Sequence, residues 1–459
     1  MSNLLQVKQA YTGEVLKELK MHDSKQVDQM LTTAQTLHQQ GALPVYERVN
    51  ILRKLADLVA NEHEQFSQLI ANEGGKPIRD ARVEVTRAVG GIHIAIAEIQ
   101  TSQGTEIPMD LSAAGSGRKA FTILEPIGVV VAVSAFNHPL NLAIHQVIPA
   151  VATGCPVIIK PAELTPLSTL RLAELILEAG LPAGWVQVAL TNRENSEKLV
   201  TDSRVAFFSF IGSSKVGWYL KSKLAPGVRC ALEHGGVAPL IFDQYADEEG
   251  FVNGVVKASM YHSGQVCVSV QRVYVPQNRA NELAQKIADI AAKQVVGDAI
   301  NEDSDLGPLI LPKETDRIES WVNEAVEQGA QVLTGGKRIN DVSYEPTVLL
   351  NPSKKSKVSM HEIFGPVVCV YGYQNIDEAI SDANSLDVSF QAAVFSDDIS
   401  KALDIAKKLE ASAVMINDYT TFRVDWMPFA GRKHSGYGIG GIGYSMKDML
   451  EHKMLVVKG

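Results

Sequence analysis

The run Tyr261-His-Ser-Gly-Gln-Val-Cys267 sets a cysteine just after a Gly-containing turn, between a stretch of helical pattern and one of strand pattern. A sulfur placed there can face a cleft, and a nucleophilic thiol needs such polar, accessible surroundings. A small core thiol is the alternative for any lone cysteine. Upstream, Leu232-Glu233-His-Gly-Gly leads a carboxylate into a glycine pair at the end of a strand pattern. Alone, Glu233 reads as a solvated strand-end acid; beside a nucleophile it reads as the base that activates water. In Ala135-Phe-Asn137-His-Pro an amide follows a buried strand at its carboxyl end, where open α/β sheets bind ligands. Local turn chemistry would explain an asparagine there, but its NH₂ can also hold an oxyanion.

Two further junctions carry charge or glycine. Pro156-Val-Ile-Ile-Lys160-Pro-Ala-Glu163 puts a cation and an acid at another strand end, and Ser209-Phe-Ile-Gly212-Ser213 puts Gly and Ser where a strand passes into a helix. Separately these are a surface ion pair and a helix cap. Together they describe a nucleotide cradle, with Gly212 and Ser213 bringing a helix N-terminus to a pyrophosphate and Lys160 and Glu163 gripping ribose hydroxyls. The ordinary G-x-G-x-x-G fingerprint is absent, so a standard Rossmann motif does not explain them.

The elements that must position these residues follow from periodicity. From 24 to about 99 apolar residues recur every three or four positions, as in Val45-Tyr-Glu-Arg-Val-Asn-Ile-Leu, which predicts helices. From 121 onward short β-branched runs alternate with amphipathic stretches, and a second such series runs from 248 to 395. Strand alternating with helix makes the fold class α/β, with parallel sheets covered on both faces. The stretch 101–118 is rich in Gly, Ser and Thr and reads as an excursion from either core, and 453–458 reads as a terminal strand that needs a partner, with another subunit as one source. At 459 residues the chain is long enough for two or three units. Its 43 Lys plus Arg against 52 Asp plus Glu argue against nucleic acid or an anionic membrane as partner and favour a small-molecule ligand. Four cysteines without CxxC spacing suit a reducing compartment, and no metal-ligand spacing links the histidines. With neither a signal-peptide pattern nor a membrane-length apolar run, the expectation is a cytoplasmic protein.

Taken in order, Glu125-Pro-Ile-Gly-Val-Val, Phe136-Asn-His-Pro, Lys160-Pro-Ala-Glu, Phe210-Ile-Gly-Ser, Leu232-Glu-His-Gly-Gly, Gly264-Gln-Val-Cys, Glu362-Ile-Phe-Gly-Pro and Phe429-Ala-Gly-Arg-Lys-His-Ser-Gly closely resemble the aldehyde dehydrogenase superfamily over nearly the whole chain. The resemblance implies an atypical Rossmann-like NAD-binding domain (1–104 and 125–235), an α/β catalytic domain (236–440) and a small β oligomerisation element (105–124 and 441–459), in a homodimer or homotetramer. It implies that the Cys267 thiolate attacks an aldehyde, that Asn137 and the Cys267 amide hold the oxyanion, that hydride leaves for the nicotinamide, and that Glu233 activates the water releasing a carboxylic acid. Glu362 would hold the nicotinamide ribose and Phe364 would pack by the ring, although Gly365-Pro366 would also pass as a plain turn. A carboxylate at Glu163 repels a 2′-phosphate, so NAD is favoured, with NADP possible because Lys160 is close.

Three departures from the family pattern stand out. His234 replaces the common Leu, Phe136 stands where Trp often precedes the asparagine, and Gly440 stands where many members carry a glutamate, which leaves Glu233 to act alone. Around the substrate funnel, the resemblance places Arg87, His138 and Arg423, which could converge on an anionic group of the aldehyde. The alternatives are a solvated helix face for Arg87 and an Arg423–Asp425 ion pair. The pattern is similar to phosphonoacetaldehyde dehydrogenases, but the arginine those often carry immediately before the nucleophile is here Val266. That leaves a sulfonate or carboxylate semialdehyde, or an uncharged hydroxyaldehyde. Rival readings are a cysteine hydrolase or acyltransferase, which gives no reason for Lys160, Glu163, Gly212 and Glu362, and a catalytically retired structural member of the fold.

Overall fold

The computed structural model describes residues 4–459. Its first large sheet has six strands in the order Gly436–Tyr437, Arg229–Glu233, Val205–Ile211, Val129–Val133, Val157–Lys160 and Val186–Val188. All neighbours are parallel except at Gly436–Tyr437. Val129–Val133 is apolar throughout and almost wholly buried, as a strand covered on both faces must be. It is the earliest of the parallel strands in the chain yet lies inside the sheet, because the chain first adds strands on one side and then, from Val205–Ile211, on the other. That reversal of direction opens a crevice at the carboxyl ends of the strands. Asn137, Lys160, Gly212 and Glu233 all sit at or just beyond those ends.

The helix after the central strand, Pro139–Thr153, starts with Pro139 in its first turn and stops at Gly154, whose φ of 86° suits a residue without a β-carbon. Nearly every residue in it is buried, so it is packed on all sides. Its opening N–H groups, those of Leu140 and Asn141, donate at 3.0 Å to a Glu84 carboxylate oxygen supplied by the helix Ile78–Thr101. Glu84 also forms an ion pair with Lys76, and both side chains are fully shielded from solvent. Removing one member of a buried pair strands the other charge. Lys76→Met should therefore lower stability by about 3–5 kcal/mol, seen as a fall in the urea midpoint, and adding Glu84→Gln should recover most of it.

A seven-stranded sheet follows, in the order Gln331–Thr334, Thr347–Leu350, Val367–Tyr373, Val270–Pro276, Ala238–Gln244, Gln391–Ser396 and Ala413–Ile416, parallel apart from the first strand. The third sheet joins Leu450–Lys458, Arg118–Pro126 and Glu106–Ile107. Leu450–Lys458 pairs antiparallel with Arg118–Pro126 along its length, so the same chain supplies the partner this terminal strand needs. Two short pieces cross the boundaries read from sequence. Gly436–Tyr437, from the stretch assigned to the catalytic unit, closes the edge of the first sheet, and the helix Ile442–Asp448 packs on Pro139–Thr153 and Ile78–Thr101. The residue types of such short elements match no hydrophobic period; where they go is decided by the sheet edge and groove that receive them. Among the described residues no helix is long and apolar enough to cross a membrane.

Candidate active site

The segment that carries Cys267 is held in an uncommon backbone conformation. His262, Ser263 and Gly264 have successive φ values of 48°, 54° and 72°, a left-handed run that costs roughly 1–3 kcal/mol at each non-glycine residue unless surrounding contacts impose it. The contacts are present. Ser263 Oγ donates to Gly307 O at 2.6 Å, and the Gln265 amide donates to His262 O and Pro308 O while its oxygen accepts from Ile310 N at 3.0 Å. Gly264 lies so close to the Gly365 carbonyl that a β-carbon would overlap it, which sets the cysteine loop against the turn bearing Glu362 and Phe364. From the first sheet, Asn137 Nδ2 donates to Gln265 O at 2.8 Å. Its other N–H is fixed in direction by that bond.

Cys267 is half-buried among Val266, Val268, Phe390 and Phe429, and its carbonyl accepts from Gly236 N at 3.2 Å. Burial, followed by the Glu362 and Glu233 carboxylates, pushes its thiol well above the usual range, and the Arg423 guanidinium pulls the other way. Burial raises Glu233 to about 7, against the pull of Arg423. Glu362 is raised to about 8 by burial, opposed by Arg317. Cys267 and Glu233 therefore share one electrostatic site, to which Glu362 and Arg423 also belong. Glu233 packs over Gly440, where a β-carbon would overlap its Oε1, so the absence of the customary glutamate makes the space that the Glu233 carboxylate fills.

The coenzyme-side residues lie along the same strand ends. Lys160 Nζ stands 3.5 Å from Glu163 Oε1, with Lys160 largely buried and Glu163 exposed. Ser213 precedes the helix Ser214–Lys221 without capping it through its side chain; the Val216 and Gly217 amides donate to Ser213 O, which leaves the N–H groups of Ser214 and Lys215 for an anion. Glu362 Oε1 is buried with no hydrogen-bond partner, and its carboxyl rests on Gly235 where a β-carbon would collide. An orphaned acceptor beside a glycine cradle fits ribose hydroxyls. Phe364 lies edge-on to Phe136 with centroids 5.9 Å apart. His234, at the position where Leu is common, donates from Nδ1 to Gly212 O at 2.8 Å and so ties the phosphate-side turn to the strand bearing Glu233.

On the substrate side Asp425 does not pair with Arg423. Its carboxylate accepts from Arg87 Nη2 at 2.6 Å and Nε at 3.1 Å, from His145 Nε2 at 2.8 Å and from Asn141 Nδ2 at 3.3 Å. Arg87 is thus bridged to the loop rather than displayed on a solvated helix face. Arg423 instead lies over the Phe429 ring, 3.5 Å from its centroid, and its Nη1 is buried without a hydrogen-bond partner. His138 is held well below its ordinary value by burial and then by the charges of Lys76, Arg87, His262 and Arg423, which keeps its ring neutral. Gln265, Asp425, His145, Glu84 and Lys76 carry positioning roles that motif reading does not assign. Glu84 had a signal: it is a charge on the apolar stripe formed by Ala81, Val85, Ala88 and Ile92.

The model of the aldehyde dehydrogenase family matches residues 2–455. The chain is 38% identical over 455 residues to 3-sulfolactaldehyde dehydrogenase of Priestia aryabhattai, covering 99% of this chain and 94% of that protein. It superposes with a TM-score of 0.96 and 36% identity on aldehyde dehydrogenase 21 of Physcomitrella patens in complex with the reaction product succinate, covering 99% of this chain and 95% of that one. It also matches glyceraldehyde-3-phosphate dehydrogenase GapN of Methanocaldococcus jannaschii complexed with NADP, with a TM-score of 0.94, 34% identity and 99% of each chain covered.

Proposed function

The chain belongs to the aldehyde dehydrogenase family, and from that premise we propose that it oxidises a small, polar, anionic aldehyde to its carboxylic acid with NAD, through a thiohemiacetal and then a thioester on Cys267. The observation that carries this reading is the Asn137–Gln265 bond, which joins the carboxyl end of the first sheet to the loop of the nucleophile. Cys267 attacks the carbonyl carbon. The free N–H of Asn137 and the Cys267 backbone N–H hold the oxyanion, pre-aimed so that little reorganisation is needed as charge develops. When bound, the nicotinamide supplies the hydride acceptor. Glu362 would hold its ribose and Phe364 would limit its position, while Lys160, Glu163, Gly212 and Ser213 would take the adenosine ribose and the pyrophosphate. Glu233, poised near neutrality, then takes a proton from the water that attacks the thioester.

NAD is the coenzyme of this reading because the Glu163 carboxylate disfavours a 2′-phosphate; the GapN relative with NADP, and Lys160 beside Glu163, keep NADP as the weaker alternative. An anionic substrate is supported by the unpartnered Arg423 and by the sulfonated and dicarboxylate compounds named for two relatives. The six-stranded sheet would carry the coenzyme and the seven-stranded sheet the nucleophile. Exposed Met454, Val456 and Val457, with Phe121 on the adjoining strand, support association into a homodimer or homotetramer through the third sheet. Four free thiols support a cytoplasmic setting.

The test is NADH formation across neutral, carboxylate, sulfonate and phosphonate aldehydes with both coenzymes, with the acid product identified. Failure of every aldehyde would return the reading to a hydrolase or a structural protein. Within it, Asn137→Ala should lower kcat by about 10²–10³-fold, the usual loss for an oxyanion donor. Coenzyme affinity should stay unchanged; a loss confined to KM would place Asn137 outside the oxyanion site.

A further inference from the structure

Around the substrate funnel the formal charges can be counted. Arg87 faces Asp425 through two N–H groups, one to each carboxylate oxygen, and Asp425 Oδ1 takes further bonds from His145 and Asn141, so both oxygens are engaged. Asp425 is 5% exposed and His145 is 7% exposed. Burial lowers His145 below its ordinary value, so the ring is neutral and acts as a donor, and the group as a whole carries no net charge. His138 adds none. Arg423 remains, stacked on Phe429 with a buried N–H group that nothing accepts. Burial lowers it to about 10, which still leaves it a cation at neutral pH.

We propose that Asp425 sets the charge selectivity of the pocket: by occupying Arg87 it leaves Arg423 as the single available guanidinium, so that the site takes aldehydes bearing one negative charge and rejects dianionic ones. This rests on the aldehyde-oxidising reading above. A sulfonate or carboxylate is matched by one guanidinium, whereas a phosphonate dianion brought beside Glu233 and Glu362 would keep one charge uncompensated in a half-buried site, where like charges interact strongly. Arg87 is a positioning residue in this scheme. It fixes the loop that carries Arg423 to the helix Ile78–Thr101, while Asn141 and His145 fix it to Pro139–Thr153.

The test uses three aldehydes on each preparation of the full-length enzyme with NAD at about pH 8: propanal (neutral), sulfoacetaldehyde (monoanion) and phosphonoacetaldehyde (dianion). Ratios of kcat/KM between them are independent of the folded fraction. Wild type should prefer sulfoacetaldehyde. Asp425→Asn should raise the phosphonate-to-sulfonate ratio by about tenfold or more, because Arg87 then adds a second uncompensated cation. The double variant Arg87→Gln with Asp425→Asn replaces the ion pair by two amides and should return both ratios to wild type, with the preference for sulfoacetaldehyde over propanal intact. If Asp425→Asn does not fold, the double variant still decides: loss of the sulfonate preference would mean that Arg87 itself binds the substrate anion and would overturn the proposal. An unmoved phosphonate ratio in an active Asp425→Asn enzyme would overturn it alone, and no NADH from any aldehyde would overturn it together with the aldehyde reading.

Discussion

Replacing Cys267 by alanine is expected to lower NADH formation by about 10⁴-fold or more, as removal of a covalent nucleophile does when the rest of its machinery remains, while the enzyme still folds and binds NAD. The remaining thiols cannot take over. Cys155 and Cys369 are fully buried, Cys155 against Thr153 and the Met449 carbonyl and Cys369 inside the seven-stranded sheet, and burial raises both. Cys230 is half-buried in the strand Arg229–Glu233, packed with the cluster around Phe208 and Phe210. Cys267 alone stands where a loop from the second sheet meets the end of the first. Because Cys267 is only partly buried and packs against the small cluster of Val266, Val268, Phe390 and Phe429, truncation to alanine should move the thermal midpoint little. Coenzyme binding is read by quenching of tryptophan fluorescence and turnover by absorbance. Turnover retained at wild-type rate would mean that the wrong sulfur has been named, whereas loss of turnover together with loss of NAD binding would point to a collapsed site.

How far the sequence reaches depends on whether a residue acts through its neighbours in the chain or through distant ones. Strand ends followed by short turns are local, so Asn137, Lys160, Gly212 and Glu233 could be placed at carboxyl ends of parallel strands from periodicity alone, and the structure sets all four along one sheet. The ion pair of Asp425 was not local. Arg423 is two residues away, but Asp425 turns to Arg87 on a helix far back in the chain, since the loop folds against that helix and Arg423 is directed to Phe429. The same limit hid Gln265. Its motif was visible, but its use depends on carbonyls at His262 and Pro308 and on the Ile310 amide, which only the folded loop brings together. The terminal strand was legible as a strand; its partner, Arg118–Pro126, lies more than three hundred residues upstream and carried no local signal.

Glu233→Gln should separate the two halves of the reaction. In this variant Cys267, Asn137 and the coenzyme residues are untouched, so the aldehyde is still oxidised once, but the amide cannot accept a proton from the attacking water. The expected result is a burst of about one NADH per subunit followed by steady turnover reduced by about 10³-fold, within the 10²–10⁴-fold range of general-base contributions. The intact protein should gain the mass of the acyl group, and the gain should be lost on adding hydroxylamine. Sign follows from ionisation: burial raises Glu233 to about 7, and only the carboxylate can act, so the wild-type steady-state rate should rise tenfold per unit of pH below about 7 and level off above it. The variant should lose that limb. Position 440 offers no second carboxylate, because Gly440 occupies the place of the glutamate found in many family members and its missing side chain is the space in which Glu233 sits. A hydrolase acting through the same three residues would form an acyl-enzyme without any NADH, so the burst measured at 340 nm, set against the mass increase, distinguishes oxidation from simple acyl transfer. A variant with wild-type steady-state rate and an unchanged pH limb would remove Glu233 from the water-activating role and leave deacylation to a base that none of the strand-end residues supplies.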